Sequence, residues 1–201
     1  MGQPQRWRYP QAPFGIQSGD YTASTMSHLI AGIDESLRPR NYLLCATVVS
    51  TADRGNVAQV LRGLLLPCQR RLHAKTESIG HKRTLLKTMS ETPGISCHIA
   101  VGGLRRDGGR ELCLRSLASH LLRLGAREIL IERVDDGTAR HDRETMASLL
   151  RGDDRLSWRH EAPEHEPLLW ISDVVVSAFG AGGDMRRATE SLVSTVISAE
   201  S

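Results

Sequence analysis

The chain predicts an α/β domain built on a mixed sheet covered by helices. Three observations carry this. Two apolar runs, "HLIAGID" (28–34) and "YLLCATVVS" (42–50), are joined by the short turn "LRPRN", so they read as an antiparallel pair. Later strand-like runs alternate with segments of helical period, which implies crossovers and parallel partners. The 201 residues are 40% hydrophobic, enough for one core. Aromatics are only 4%, so that core must be Leu, Val, Ile and Ala.

In chain order, residues 1–27 are polar, carry Pro4, Pro10 and Pro13, and lack an apolar period. They predict a flexible tail, with residues 28–201 as a single domain. Within the tail, "RWRYP" interleaves Arg6 and Arg8 with Trp7 and Tyr9. A base-stacking arm and a passive tail both fit it. "NVAQVLRGLLLP" repeats apolar residues at Val57, Val60, Leu61 and Leu64 and stops at Pro67, which predicts a helix. "SIGHKRTLLKTMSE" predicts a second helix, and "ISCHIAVGG" is strand three. "GRELCLRSLASHLLRLG" sets Leu112, Leu117 and Leu121 near one face, with Gly125 as its stop. "REILIERV" is strand four, "RHDRETMASLLRG" a helix and "LSWRHEA" a short fifth strand. "EPLLWISDVVVSAFG" opens a helix with Pro167 in its first turn. "MRRATESLVSTVISAE" is expected as a last helix.

Composition excludes several classes. A formal net charge of +3 selects no partner. The basic residues are three lysines and 23 arginines; guanidinium suits bidentate phosphate contact, and GC-rich coding gives the same bias. Cys45, Cys68, Cys97 and Cys113 lie far apart, which excludes a zinc knuckle or disulfide framework. Cys45 and Cys97 read as small core residues. No apolar leader core is visible, and the longest greasy stretch is interrupted by Asp173 and too short to span a bilayer. A cytoplasmic chain without membrane contact is expected. There is no P-loop and no G-x-G-x-x-G. His160 and His165 are five apart with Pro163 between them, so they cannot form H-E-x-x-H. "GGLRRDGGR" is either a phosphate cradle or a plain Gly-rich loop.

The acids are the informative residues. Asp34 and Glu35 end strand one, and successive strand side chains point to opposite faces, so only one enters a given site. Asp34 shares a face with Gly32, which leaves room beside it. Glu132 lies in strand four on the face of Leu130. Asp173 is flanked on its helix by Leu169, Trp170, Val176 and Ser177. Carboxylates so placed are costly to bury unpaired. Three buried salt bridges with arginines would satisfy them, and so would convergence on a divalent cation. Oxygen ligands favour magnesium or manganese over zinc. His73, in "RRLHAK", sits in an irregular link between two helices. A structural hydrogen bond and a role beside the acids both fit it.

Taken in order, "GIDES", "YLLCATVV", "LHA" with His73, "LIER" with Glu132 and "LLWISDVVVSAFG" with Asp173 resemble a bacterial and phage family. This is the domain-of-unknown-function 3800 family, whose members have an RNase H-like fold. The resemblance spans residues 28 to about 182. Leu37 stands where a glycine often follows D-E-S, Arg71 where many members carry an acid, and Glu132 where aspartate is commoner. The resemblance implies an RNase H-like mixed five-stranded sheet with helices on both faces. It also implies a divalent-metal-dependent nuclease hydrolysing phosphodiester bonds of DNA or RNA, with magnesium or manganese as cofactor and nucleic acid as partner. Asp34, Glu132 and Asp173 would hold metal and act in catalysis with His73. Glu35 and Asp135 form a second tier, and Arg71 and Lys75 would meet phosphate. The alternative is a non-catalytic RNase H-like module that binds nucleic acid or a protein. The oligomeric state stays open.

Overall fold

The computed structural model describes residues 27–103 and 108–199. The expected tail lies outside the described residues except for Ser27, as do residues 104–107 of the "GGLRRDGGR" stretch.

The hairpin of β1 (Leu29–Leu37) and β2 (Asn41–Ser50) forms as expected, with Asp34 opposite Cys45. Its turn is closed by Arg38 N–H to Asn41 O at 2.9 Å. β1 continues to Leu37, so Asp34 and Glu35 lie inside the strand rather than at its end. β3 (Ser96–Gly103) pairs antiparallel with β2. β4 (Ala126–Glu132) and β5 (Ser157–Glu161) extend the other side, both parallel to β1.

Helices cover both faces of the sheet. α1 (Arg54–Gly63), α2 (Ile79–Glu91) and α5 (Pro167–Ala181) pack on one face, burying Val57, Leu61, Leu85 and Leu86 against Ile30, Cys45 and Leu130. α3 (Gly109–Leu124) and α4 (Asp136–Leu150) cover the other face over Ile33, Leu44, Ile129 and Ile131. The two faces follow from strand alternation: even positions of β1 face α5, while odd ones join the core on the side of α3 and α4. α5 is apolar nearly all round because it lies centrally in its layer, against β1, β2, α1 and α2.

The chain's end corrects the sequence expectation. Instead of one helix, a short α6 (Gly183–Arg187) is followed by β6 (Val193–Ala199), parallel to β3. Met185, Ala188, Leu192 and Val196 mimic a helical stripe. Yet Val193, Thr195 and Ile197 also alternate with the exposed Ser194, Val196 and Ser198. β-branched residues pack well on a pleated surface, and the edge of β3 offers a backbone ladder. Among the described residues the sheet therefore has six strands rather than five, in the order β5-β4-β1-β2-β3-β6.

Two residues fix α5 against β1. Gly32 has no side chain, and a Cβ there would lie 2.9 Å from Leu168 Cβ and 3.0 Å from the Leu168 backbone carbon. The wholly buried Ser172 donates to Gly32 O at 2.7 Å and meets Thr47 Oγ1 at 2.8 Å. The residue after Ser172 is Asp173, so this seat sets where that acid stands.

Candidate functional site

Asp34 lies near the end of β1, and Glu132 is the last residue of β4. The two strands are parallel neighbours, so both acids reach the same end of the sheet. Asp34 is only 7% exposed. Burial pushes its carboxyl up to about 10, and hydrogen bonding to Glu132 with the charges of Glu132 and Asp173 adds to this. Arg110 pulls the other way without prevailing. The three acids thus share one electrostatic neighbourhood, in which burial first and the neighbouring acids second favour the protonated form of Asp34. Among the described residues, no three His, Cys, Asp or Glu side chains are grouped so as to hold an ion as they stand.

Asp173 turns towards the link between α1 and α2. Its Oδ2 accepts from Ala74 N–H at 2.8 Å and meets His73 Nδ1 at 2.9 Å. With Asp173 as a carboxylate, His73 donates to it from Nδ1, which leaves Nε2 as the ring nitrogen not engaged by that acid. The His73 side chain is 33% exposed. The link is held by its own backbone: Thr76 N–H and Glu77 N–H both return to His73 O, at 3.0 and 3.3 Å.

The remaining predicted residues divide. Arg71 belongs to the cluster: its Nη1 lies 3.4 Å from Glu132 Oε1 and its Nε 3.7 Å from Glu164. Lys75 is exposed on the same link. Glu35 points to the opposite face, as alternation requires, and is bonded by Tyr42 Oη and Arg110. Asp135 is exposed and caps α4, accepting from Thr138 N–H at 3.0 Å and Thr138 Oγ1 at 2.7 Å. That is the contact of a helix N-cap.

Sequence reasoning missed Asp142. It is fully buried on α4 and takes a two-pronged bond from Arg110, at 2.7 and 2.8 Å, with His160 Nε2 at 3.0 Å. Burial works against its ionisation, but the Arg110 and His160 contacts outweigh that and hold its carboxyl below the usual range. The signal was present: Ala139, Thr145 and Met146 flank Asp142 at helical spacing and are all buried. The network Glu35–Tyr42–Arg110–Asp142–His160 backs the acidic site from across the sheet. Arg38, discussed below, was also missed.

No protein-family model and no curated protein sequence matches the chain. A solved structure, the PCNA:RNase HII complex from Archaeoglobus fulgidus, is similar in fold. The TM-score is 0.53 at 16% sequence identity, over 81% of this chain and 77% of the other. Identity at that level speaks to the fold alone, and the fold is RNase H-like.

Proposed function

We propose that the chain is a divalent-metal-dependent nuclease hydrolysing phosphodiester bonds of DNA or RNA. We also place it in the domain-of-unknown-function 3800 family that its motifs resemble. The observation that carries the reading is the placing of Asp34: a buried acid on β1, beside the parallel strand β4 that ends in Glu132, with Asp173 of α5 near enough to act on its charge. Such a cluster repels itself unless a proton or a cation intervenes. Its all-oxygen donor set fits magnesium or manganese. Asp34, Glu132 and Asp173 would hold the ion. When bound, it supplies charge neutralisation at phosphate and a more acidic water.

The chain's own residues supply the rest. His73 presents Nε2 while Asp173 fixes Nδ1, so the imidazole can orient a water or accept its proton. Arg71 and Lys75, on the same link, offer positive charge to phosphate. Arg110 binds Glu35 on the far face, which keeps that acid out of the site. A cytoplasmic setting belongs to the proposal; the cysteines are free, and no described helix is long and apolar enough to cross a membrane.

The test is His73→Ala. It should keep manganese binding and near-wild-type melting, yet cleave nucleic acid about 10²–10⁴-fold more slowly. If the variant mainly melts earlier while its folded fraction cleaves normally, His73 is structural. A second reading, a non-catalytic module binding nucleic acid or a protein, is favoured by the Arg71–Glu132 pair, which ties one acid to a fixed cation. Wild type that binds nucleic acid but never cleaves it with manganese present would select that reading.

A further inference from the structure

Arg38 follows β1 at the hairpin turn and lies back along α5. Its Nη2 donates to Ser177 O at 2.6 Å, one helical turn beyond Asp173. Gly180 makes the seat: a Cβ there would overlap Arg38 Nε and stand 2.8 Å from Leu43 Cδ1. Glycine inside a helix costs stability relative to alanine, so its presence here needs a local reason, and the guanidinium is one. Arg38 Nε is buried without a hydrogen-bond partner, alone in this among the described side chains. No described carboxylate pairs with Arg38 within ion-pair distance. A guanidinium stays charged at every working pH, and a half-buried charge lacking a counter-ion is costly.

The placement indicates where that counter-ion comes from. β1 and α5 run side by side in the same direction: Gly32 against Leu168, Asp34 in the field of Asp173, Arg38 on Ser177. Four residues of helix advance about 6 Å. Phosphates of one nucleic-acid strand recur about every 3.4 Å along the axis.

We propose that Arg38 anchors a backbone phosphate of the nucleic-acid strand, one or two nucleotides from the acid cluster. This rests on the nuclease reading but concerns binding, not cleavage. Such a contact positions the strand and reads no base. The competing role is a cap on the C-terminal end of α5 through Ser177 O.

The experiment measures binding of fluorescently labelled DNA and RNA strands by anisotropy, in EDTA, across a salt titration, with melting recorded for each protein. Arg38→Ala should weaken binding several-fold and lower the slope of log K against log salt by about 0.7–0.9. Arg38→Lys should keep most of that slope. Gly180→Ala removes no charge but displaces the guanidinium, and should weaken binding as well. If Arg38→Ala melts too early to assay, Gly180→Ala and Arg38→Lys decide. Wild-type affinity and slope in Arg38→Ala, or in Gly180→Ala where that variant decides, overturn the proposal and leave the cap. A wild type that binds neither strand sinks the nucleic-acid reading itself, and Arg38 as an anchor with it.

Discussion

Asp34→Asn presents nearly the same neutral side chain as the protonated acid that burial favours, with Glu132 and Asp173 adding to it. The variant should therefore match wild type in stability to within about 1 kcal/mol in the absence of divalent ions. Manganese at a hundredfold excess over Kd should stabilise wild type by about 2.7 kcal/mol, and the variant should lose that gain. Thermal melts of both proteins with and without manganese check this; a wild type indifferent to the ion contradicts it. His98 gives an independent pH prediction. It is buried on β3 against His120, at 3.1 Å, and burial followed by the His120 charge lowers it to about 4. The unfolded chain takes up that proton near 6.5, so stability is complete above 6.5 and declines as pH falls towards 4. His98→Gln should flatten the decline in urea titrations between pH 7 and 4.5, and an unchanged slope would show that other groups set it. At this scale much was legible. Asp34, Glu132 and Asp173 stood out because an acid interrupts an apolar period. Asp142 obeys the same rule and was passed over. Arg38 gave no signal, since a long side chain reaching 139 residues along the chain to Ser177 leaves no local pattern.

The element that positions the chemistry is α5. Its approach to β1 depends on Gly32, where an added methyl meets helix backbone that cannot rotate away. Gly32→Ala should cost roughly 1–3 kcal/mol by overpacking, measured by urea denaturation. It should also blunt the manganese response, because α5 carries Asp173 away from Asp34. A variant of wild-type stability would mean that the helix tolerates the shift. The strand and helix identities were largely readable because apolar period and turn residues agreed for β1, β2, α3 and α5. They disagreed after residue 183. There a helical stripe and a strand alternation coexist in one segment, and only the free edge of β3 decides between them. The sequence does not print that edge, because it is created by strands far away in the chain.

At the scale of the molecule, the candidate site follows from topology. β1 and β4 are adjacent and parallel, so their carboxyl ends open at one end of the sheet, the usual place for ligands in such sheets. α5 runs alongside β1 in the same direction and delivers Asp173, and the link after α1 delivers His73, Arg71 and Lys75. Strand order is what brings these residues to one end; from the sequence, Asp34, Glu132 and Asp173 were expected to meet by their inward orientation, without the strand order that accounts for it. The central claim is that Asp34, Glu132 and Asp173 form one divalent-ion site. A crystal grown with manganese, with anomalous density recorded at the manganese edge, tests it most directly. The account predicts one or two peaks ligated by carboxyl oxygens of all three residues, roughly 2–2.5 Å from each ion they bind. Manganese bound elsewhere, or Asp173 still turned wholly to His73 and Ala74 with no peak beside Asp34, would contradict it.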